Sequence, residues 1–145
     1  QLFNSNLNES VSFLQHAVAL QDPEAEILYG FLLTVWKQPR NAFISFLNAF
    51  RHGNNTHAAR EIADCYRKSY GCEFDLYRFK LFAEIAFEHG DPEVCALLGS
   101  VYREGKILAK DLEKAEKYFK IGVERGNEAC RKALDEMGNW KKTER

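Results

Sequence analysis

Apolar positions recur along this chain at the three- and four-residue spacing of amphipathic helices, and the pattern is punctuated at regular intervals. Gly90-Asp91 and Gly126-Asn127 each close an apolar run with glycine followed by a short acidic or amide residue. The same junction stands at Gly53-Asn54 and, in degenerate form, at Gln21-Asp22, giving intervals of 32, 37 and 36 residues. Periods of this size mark stacked pairs of helices. The spacing predicts helices near 9–20, 23–36, 39–52, 56–69, 75–89, 92–103, 111–125 and 128–140. They form an orphan helix at 9–20, hairpins at about 21–52, 53–89 and 90–125, and a closing helix in 126–140, all within one domain of residues 1–145.

Within the unit, substitutions stay physically alike. A small residue follows each junction by nine or ten positions (Gly30, Ala63, Gly99), with Leu33, Tyr66 or Tyr102 three further on. Four residues before the next junction come Ala17, Ala49, Ala86 and Gly122; eight before it come Phe13, Ser45, Phe82 and Tyr118. Small residues at matching heights let two helices approach, and the aromatics fill the space beside them. Asp75 and Asp111 precede the second helix of their hairpins, where a short oxygen-bearing side chain accepts from unpaired first-turn amides. In the shorter hairpin Gln38-Pro39 takes that place, with proline at a tolerated first-turn position.

Composition adds little chemistry. With 145 residues, 46% of them hydrophobic and 13% aromatic, the chain is able to bury a sizeable core. The formal charge of −1 provides no broad footprint for nucleic acid or an anionic membrane. No window approaches the ~18 uninterrupted apolar residues of a membrane span. The tail from Asn139 is expected to fray after Trp140.

The run Ala96-Leu97-Leu98-Gly99-Ser100-Val101-Tyr102-Arg103-Glu104-Gly105, followed by the run from Asp111 to Gly122, resembles the Sel1-like repeat, a relative of the tetratricopeptide repeat. The match is close over 90–126, recognisable over 53–90 and weak over 21–53, where the loop shortens to Trp36-Lys37-Gln38-Pro39-Arg40. The resemblance implies an all-α, right-handed α/α solenoid. It also implies a protein-binding module, acting as adaptor or as inhibitor of a partner such as an enzyme or toxin; a bacterial immunity protein is one form such a module takes. Export or a periplasmic location is favoured over the cytoplasm because many proteins with such repeats are exported. Gln1 fits either a mature protein after signal removal or a segment of a longer one. The alternative is binding or hydrolysis of β-lactams or peptidoglycan fragments, as in cysteine-rich relatives.

Neither catalytic residue, metal nor cofactor is expected. In those relatives a cysteine placed like Cys95 pairs with one near the end of the preceding helix, where this chain has Phe87. Cys95 and Cys130 occupy equivalent points of successive repeats, which are expected to lie too far apart for a disulfide. Cys65 and Cys72 meet only if the chain folds back near Gly71; otherwise Cys65 is a small buried hydrophobe. His52 and His89 each precede a junction glycine, where a cation favours the negative end of the helix dipole.

Related arrays line their concave face with the first helix of each hairpin. Positions −3, +1 and +4 from the small residue form one stripe on that helix. It comprises Ile27, Phe31 and Thr34; then Arg60, Asp64 and Arg67; then Ala96, Ser100 and Arg103; and Arg131 with Asp135 on the closing helix. The expected partner-binding surface is therefore apolar at one end and rich in arginine farther along, arginine and exposed aromatics being common interface anchors.

Overall fold

A computed structural model describes residues 2–143, with the side chains of residues 6–138. Among the described residues there are eight helices and no strand: α1 (Leu2–Ala19), α2 (Pro23–Val35), α3 (Pro39–Arg51), α4 (His57–Lys68), α5 (Leu76–Glu88), α6 (Glu93–Glu104), α7 (Leu112–Glu124) and α8 (Glu128–Thr143). Packing is densest between α2 and α3, α4 and α5, and α6 and α7, so the three expected hairpins are the building blocks. Helix α1 packs on α2 alone among the extensive contacts, and α8 closes the other end against α7 and α6.

Two helix ends differ from expectation. Helix α1 begins at Leu2 rather than near residue 9, and along it Leu7, Val11, Leu14 and Val18 form an apolar stripe that starts one turn ahead of the repeat alignment. Helical backbone in α8 continues to Thr143; the side chains from Asn139 onward, and residues 144–145 altogether, lie outside the described residues.

The junctions explain the period. Gly53, Gly90 and Gly126 have φ of +116°, +86° and +89°, the left-handed region where a side chain is strained, and Gln21 adopts φ +62° in the degenerate junction. The next amide then reaches back five residues: Asp22 to Ala17, Asn54 to Ala49, Asp91 to Ala86 and Asn127 to Gly122, over 2.8–3.2 Å. This is the Schellman closure of a helix. The same residue then starts the next helix. Side-chain oxygens of Asp22, Asn54, Asp91 and Asn127 accept from the amides of Glu24, Ala58, Val94 and Cys130 at 3.0, 3.1, 2.9 and 2.9 Å. One glycine-plus-cap dipeptide thus ends one hairpin and begins another. Asp75 and Asp111 cap α5 and α7 as expected, each accepting at 3.0 Å from the amide three residues on.

Close approach within hairpins follows from the small residues. A Cβ on Gly30 would lie 2.5 Å from the Phe46 ring, and one on Gly99 would lie 2.6 Å from Cδ1 of Phe119. Phe46, Phe79 and Phe119 are among the most deeply buried side chains. One apolar core runs from α2 into α6 and a second joins α6, α7 and α8. The four cysteines are free, so the Cys65–Cys72 bridge is not formed. Cys95 and Cys130 come closer than their repeat positions suggest. A Cβ on Gly122 would lie 2.9 Å from Cβ of Cys95 and 3.0 Å from Cβ of Cys130, since the glycine leaves room for both to converge.

Candidate partner-binding face

Polar bonds between neighbouring hairpins set which residues remain open. Arg60 of α4 donates through Nη1 to Oδ1 of Asp91 at 2.8 Å, and the Asp91 side chain is wholly buried. Arg125 donates to the Asp91 carbonyl at 3.0 Å while its guanidinium lies 4.5 Å from the centre of the Phe87 ring. In the preceding hairpin, buried Glu26 meets His52 Nδ1 at 2.6 Å, and Asn54 donates to Glu24 at 2.8 Å. These bonds join the start of one first helix to the neighbouring junction. His52 therefore ties the end of α3 back to the start of α2 within its own hairpin, whereas His89 bonds the Ile85 carbonyl of its own helix at 2.8 Å.

This stapling corrects the expected stripe. The −3 positions turn toward the adjoining hairpin: Ile27 is 6% exposed, and Arg60 is held inward by Asp91. Neither is an open contact residue, and Ala96 is half-buried. Among the described residues Arg131, on α8, is the one exposed at that height. The +1 and +4 positions lie nearer the surface. Phe31, Thr34 and Asp135 are exposed, and Asp64, Arg67, Ser100 and Arg103 are partly exposed. Residues two before and five after the small residue also open outward, a signal the repeat alignment already contained. They include Leu28, Val35, Lys68 and Glu104.

The arginines are paired rather than free. Asp64 accepts from Arg67 at 2.6 Å and lies 2.9 Å from Lys68. Arg103 spans α6 and α8, reaching Glu136 at 3.3 Å, with its guanidinium 5.4 Å from the centre of the Phe119 ring. Arg103 and Glu136 also line a cleft with Lys110, Leu112 and Met137. Beside the Arg60 pair, burial pushes the Glu61 carboxyl above its ordinary value, and Arg60 pulls the other way. The face therefore runs from apolar on α2, through compensated charge on α4, to a mixed surface on α6 and α8.

Sequence reasoning missed the groove at the apolar end. Leu7, Val11 and Leu14 of α1 face Leu28, Phe31 and Val35 of α2 across an open, almost wholly apolar trough. Leu28 and Val35 are 59% and 74% exposed, large values for branched aliphatics on a packed helix.

Neither a family model nor a curated protein matches the chain; its similarities are to solved structures. A Sel1 repeat protein from Oxalobacter formigenes superposes with a TM-score of 0.75 at 28% identity, over 88% of this chain and 53% of that one. The chain has the helical-repeat fold of the Sel1-like repeat proteins. A protective antigen present in uropathogenic Escherichia coli strains shares the fold, with a TM-score of 0.74 at 21% identity over 88% of this Sel1-like chain and 28% of the antigen. Cysteine-rich protein B of Helicobacter pylori matches with a TM-score of 0.60 at 20% identity, over 86% of this chain and 92% of that protein. The chain thus spans about half the length of the first of these and less of the second. Among the described residues no helix is long and apolar enough to cross a membrane.

Proposed function

We propose that this Sel1-like array is a protein-binding module that acts as an adaptor or as an inhibitor of its partner. The observation that carries this reading is the open face of α2, α4, α6 and α8. It passes from Leu28, Phe31 and Val35 to the charged side chains of Asp64, Arg67, Lys68 and Arg103 on helices stapled to one another. Rigid presentation limits the ordering cost of association, and a surface graded from apolar to charged suits one orientation of a partner. If the partner is an enzyme or toxin, covering its active site suffices for inhibition; an immunity protein is such a case.

The test is affinity capture from the source's lysate and secreted fraction, using the wild-type chain beside Arg67→Glu and Arg103→Glu. The reading expects one stoichiometric partner, weakened by about tenfold or more in at least one variant whose helical circular dichroism is unchanged. A partner held equally by both variants removes the charged part of the face. Absence of any partner removes the module reading itself.

A further inference from the structure

Cys95 of α6 and Cys130 of α8 are both wholly buried, and they converge on Gly122 of α7. A Cβ on that glycine would stand 2.9 Å from Cβ of Cys95 and 3.0 Å from Cβ of Cys130, and the Cys130 sulfur takes the place such an atom would need. The two cysteine Cβ atoms are therefore within about 6 Å of each other, whereas a disulfide needs about 3.5–4.5 Å, which leaves roughly 2 Å at most to close. The same position of the second helix is Ala49 in α3 and Ala86 in α5, and the residue matching the cysteines in α4 is Ala58. Glycine thus stands at the seam where a thiol flanks it on either side. A cation also faces one of the two: Arg125 donates through Nη1 to the Cys95 sulfur at 3.6 Å. Burial raises both thiols, that of Cys130 to about 11, and at Cys95 Arg125 opposes the rise.

We propose that Cys95 and Cys130 are a modification site, forming a reversible disulfide that staples α8 to α6, with a small-molecule disulfide such as oxidised glutathione as the oxidant. Cys95, the thiol beside the arginine, gives its proton to water and attacks one sulfur of the oxidant. One small thiolate leaves, and a mixed disulfide remains on Cys95. Cys130 then loses its proton and attacks the Cys95 sulfur, displacing the second small thiolate; both released thiolates take up a proton. One S–S bond is broken and one is formed, the two cysteines are oxidised, and the oxidant is reduced to two thiols. Helix α8 makes its extensive contacts with α7 and α6, so local opening of this one helix admits the oxidant to both sulfurs. The staple lies on the seam that Arg103 and Glu136 also bridge, at 3.3 Å, and so fixes the geometry of the charged end of the open face. It does not depend on what that face binds.

The native protein is equilibrated with oxidised and reduced glutathione at pH 8, quenched with acid, alkylated and digested with trypsin, which places the four cysteines on four separate peptides. Mass spectrometry should find the peptide of residues 81–103 joined to that of residues 126–131 in monomeric protein, and the link should vanish on adding dithiothreitol. The oxidised protein should unfold at a higher urea concentration than the reduced one. The urea-denatured chain is the control. There the shorter loop from Cys65 to Cys72 should close about tenfold more often than the loop from Cys95 to Cys130. A native protein whose Cys95–Cys130 link is no more abundant, relative to Cys65–Cys72, than in the denatured chain overturns the staple. Glutathione retained on Cys95 or Cys130, both thiols left unmodified at equilibrium, or a link found between two molecules overturns it equally.

Discussion

Replacing Gly99 by alanine sets two opposing effects against each other. In a helix interior, alanine is favoured over glycine by about 1 kcal/mol because the unfolded chain has less freedom to lose. Against this, the new methyl would lie 2.6 Å from Cδ1 and 2.7 Å from Cζ of Phe119. The clash runs along the whole edge of a ring that is 1% exposed, so no flexible tip is available to swing aside. Forcing extra atoms into a packed site costs roughly 1–3 kcal/mol, which outweighs the propensity gain unless α6 and α7 separate freely. Gly99→Ala should therefore lose about 0–2 kcal/mol instead of gaining, and any loss should appear in the urea midpoint with little change in slope.

The control lies in the same molecule. Among the described residues nothing stands within 4 Å of a Cβ on Gly138, which is helical and exposed in α8, so Gly138→Ala should gain about 0.5–1 kcal/mol. Adding Phe119→Leu to Gly99→Ala supplies the decisive comparison. If the clash is the cause, the double variant is more stable than the sum of the singles by at least about 1 kcal/mol. Urea unfolding followed at 222 nm measures all four. A Gly99→Ala protein as stable as Gly138→Ala, or strict additivity with Phe119→Leu, refutes the close-approach argument.

Other expectations follow from the junctions and the thiols. Asp91→Ala removes both the α6 cap and the partner of Arg60, and should cost about 3 kcal/mol or more in urea unfolding. Asp91→Asn should cost less, since Asn54 and Asn127 cap α4 and α8 from equivalent junctions. Burial pushes the thiol of Cys65 up to about 12, with Cys72 adding to the shift, and burial pushes that of Cys130 up to about 11. The unfolded chain then loses those protons at lower pH than the fold does, so stability is intact below the ordinary thiol range and falls as pH rises toward 11. Thermal melts from pH 8 to 10.5 should show this slope, and Cys65→Ala should flatten it relative to wild type. Iodoacetamide at pH 8 should modify partly exposed Cys72 before the three buried cysteines, as read by mass spectrometry of the native protein.

The hairpin register was readable because its signals are local. A glycine with positive φ, a cap one residue later and a small residue nine or ten positions on are each demanded by backbone geometry or by contact within one hairpin. The degenerate junction at Gln21-Asp22 was recognisable for the same reason, with Asp22 capping and Gln21 adopting the left-handed turn without glycine. The Cys95–Cys130 approach was not readable. It depends on how far α8 leans over Gly122, a property of the angle between units rather than of any one unit.

The partner-binding stripe shows the same division. Helical period alone places −3, +1 and +4 on one side of a helix; +1 and +4 are exposed in α2 and partly exposed in α4 and α6. What the period cannot supply is the side on which the next hairpin leans, and that lean turns Ile27 and Arg60 inward. Arg60 illustrates the consequence for function. As a free cation it would be an interface anchor; bonded to a fully buried Asp91 it is committed to stacking, and reversing its charge would unfold the junction before it tested binding. Arg67 and Arg103 are the better probes because their partners, Asp64 and Glu136, are themselves partly or fully exposed. Losing either pair leaves no buried charge behind, so a change in partner affinity at these sites reports on the surface rather than on the fold.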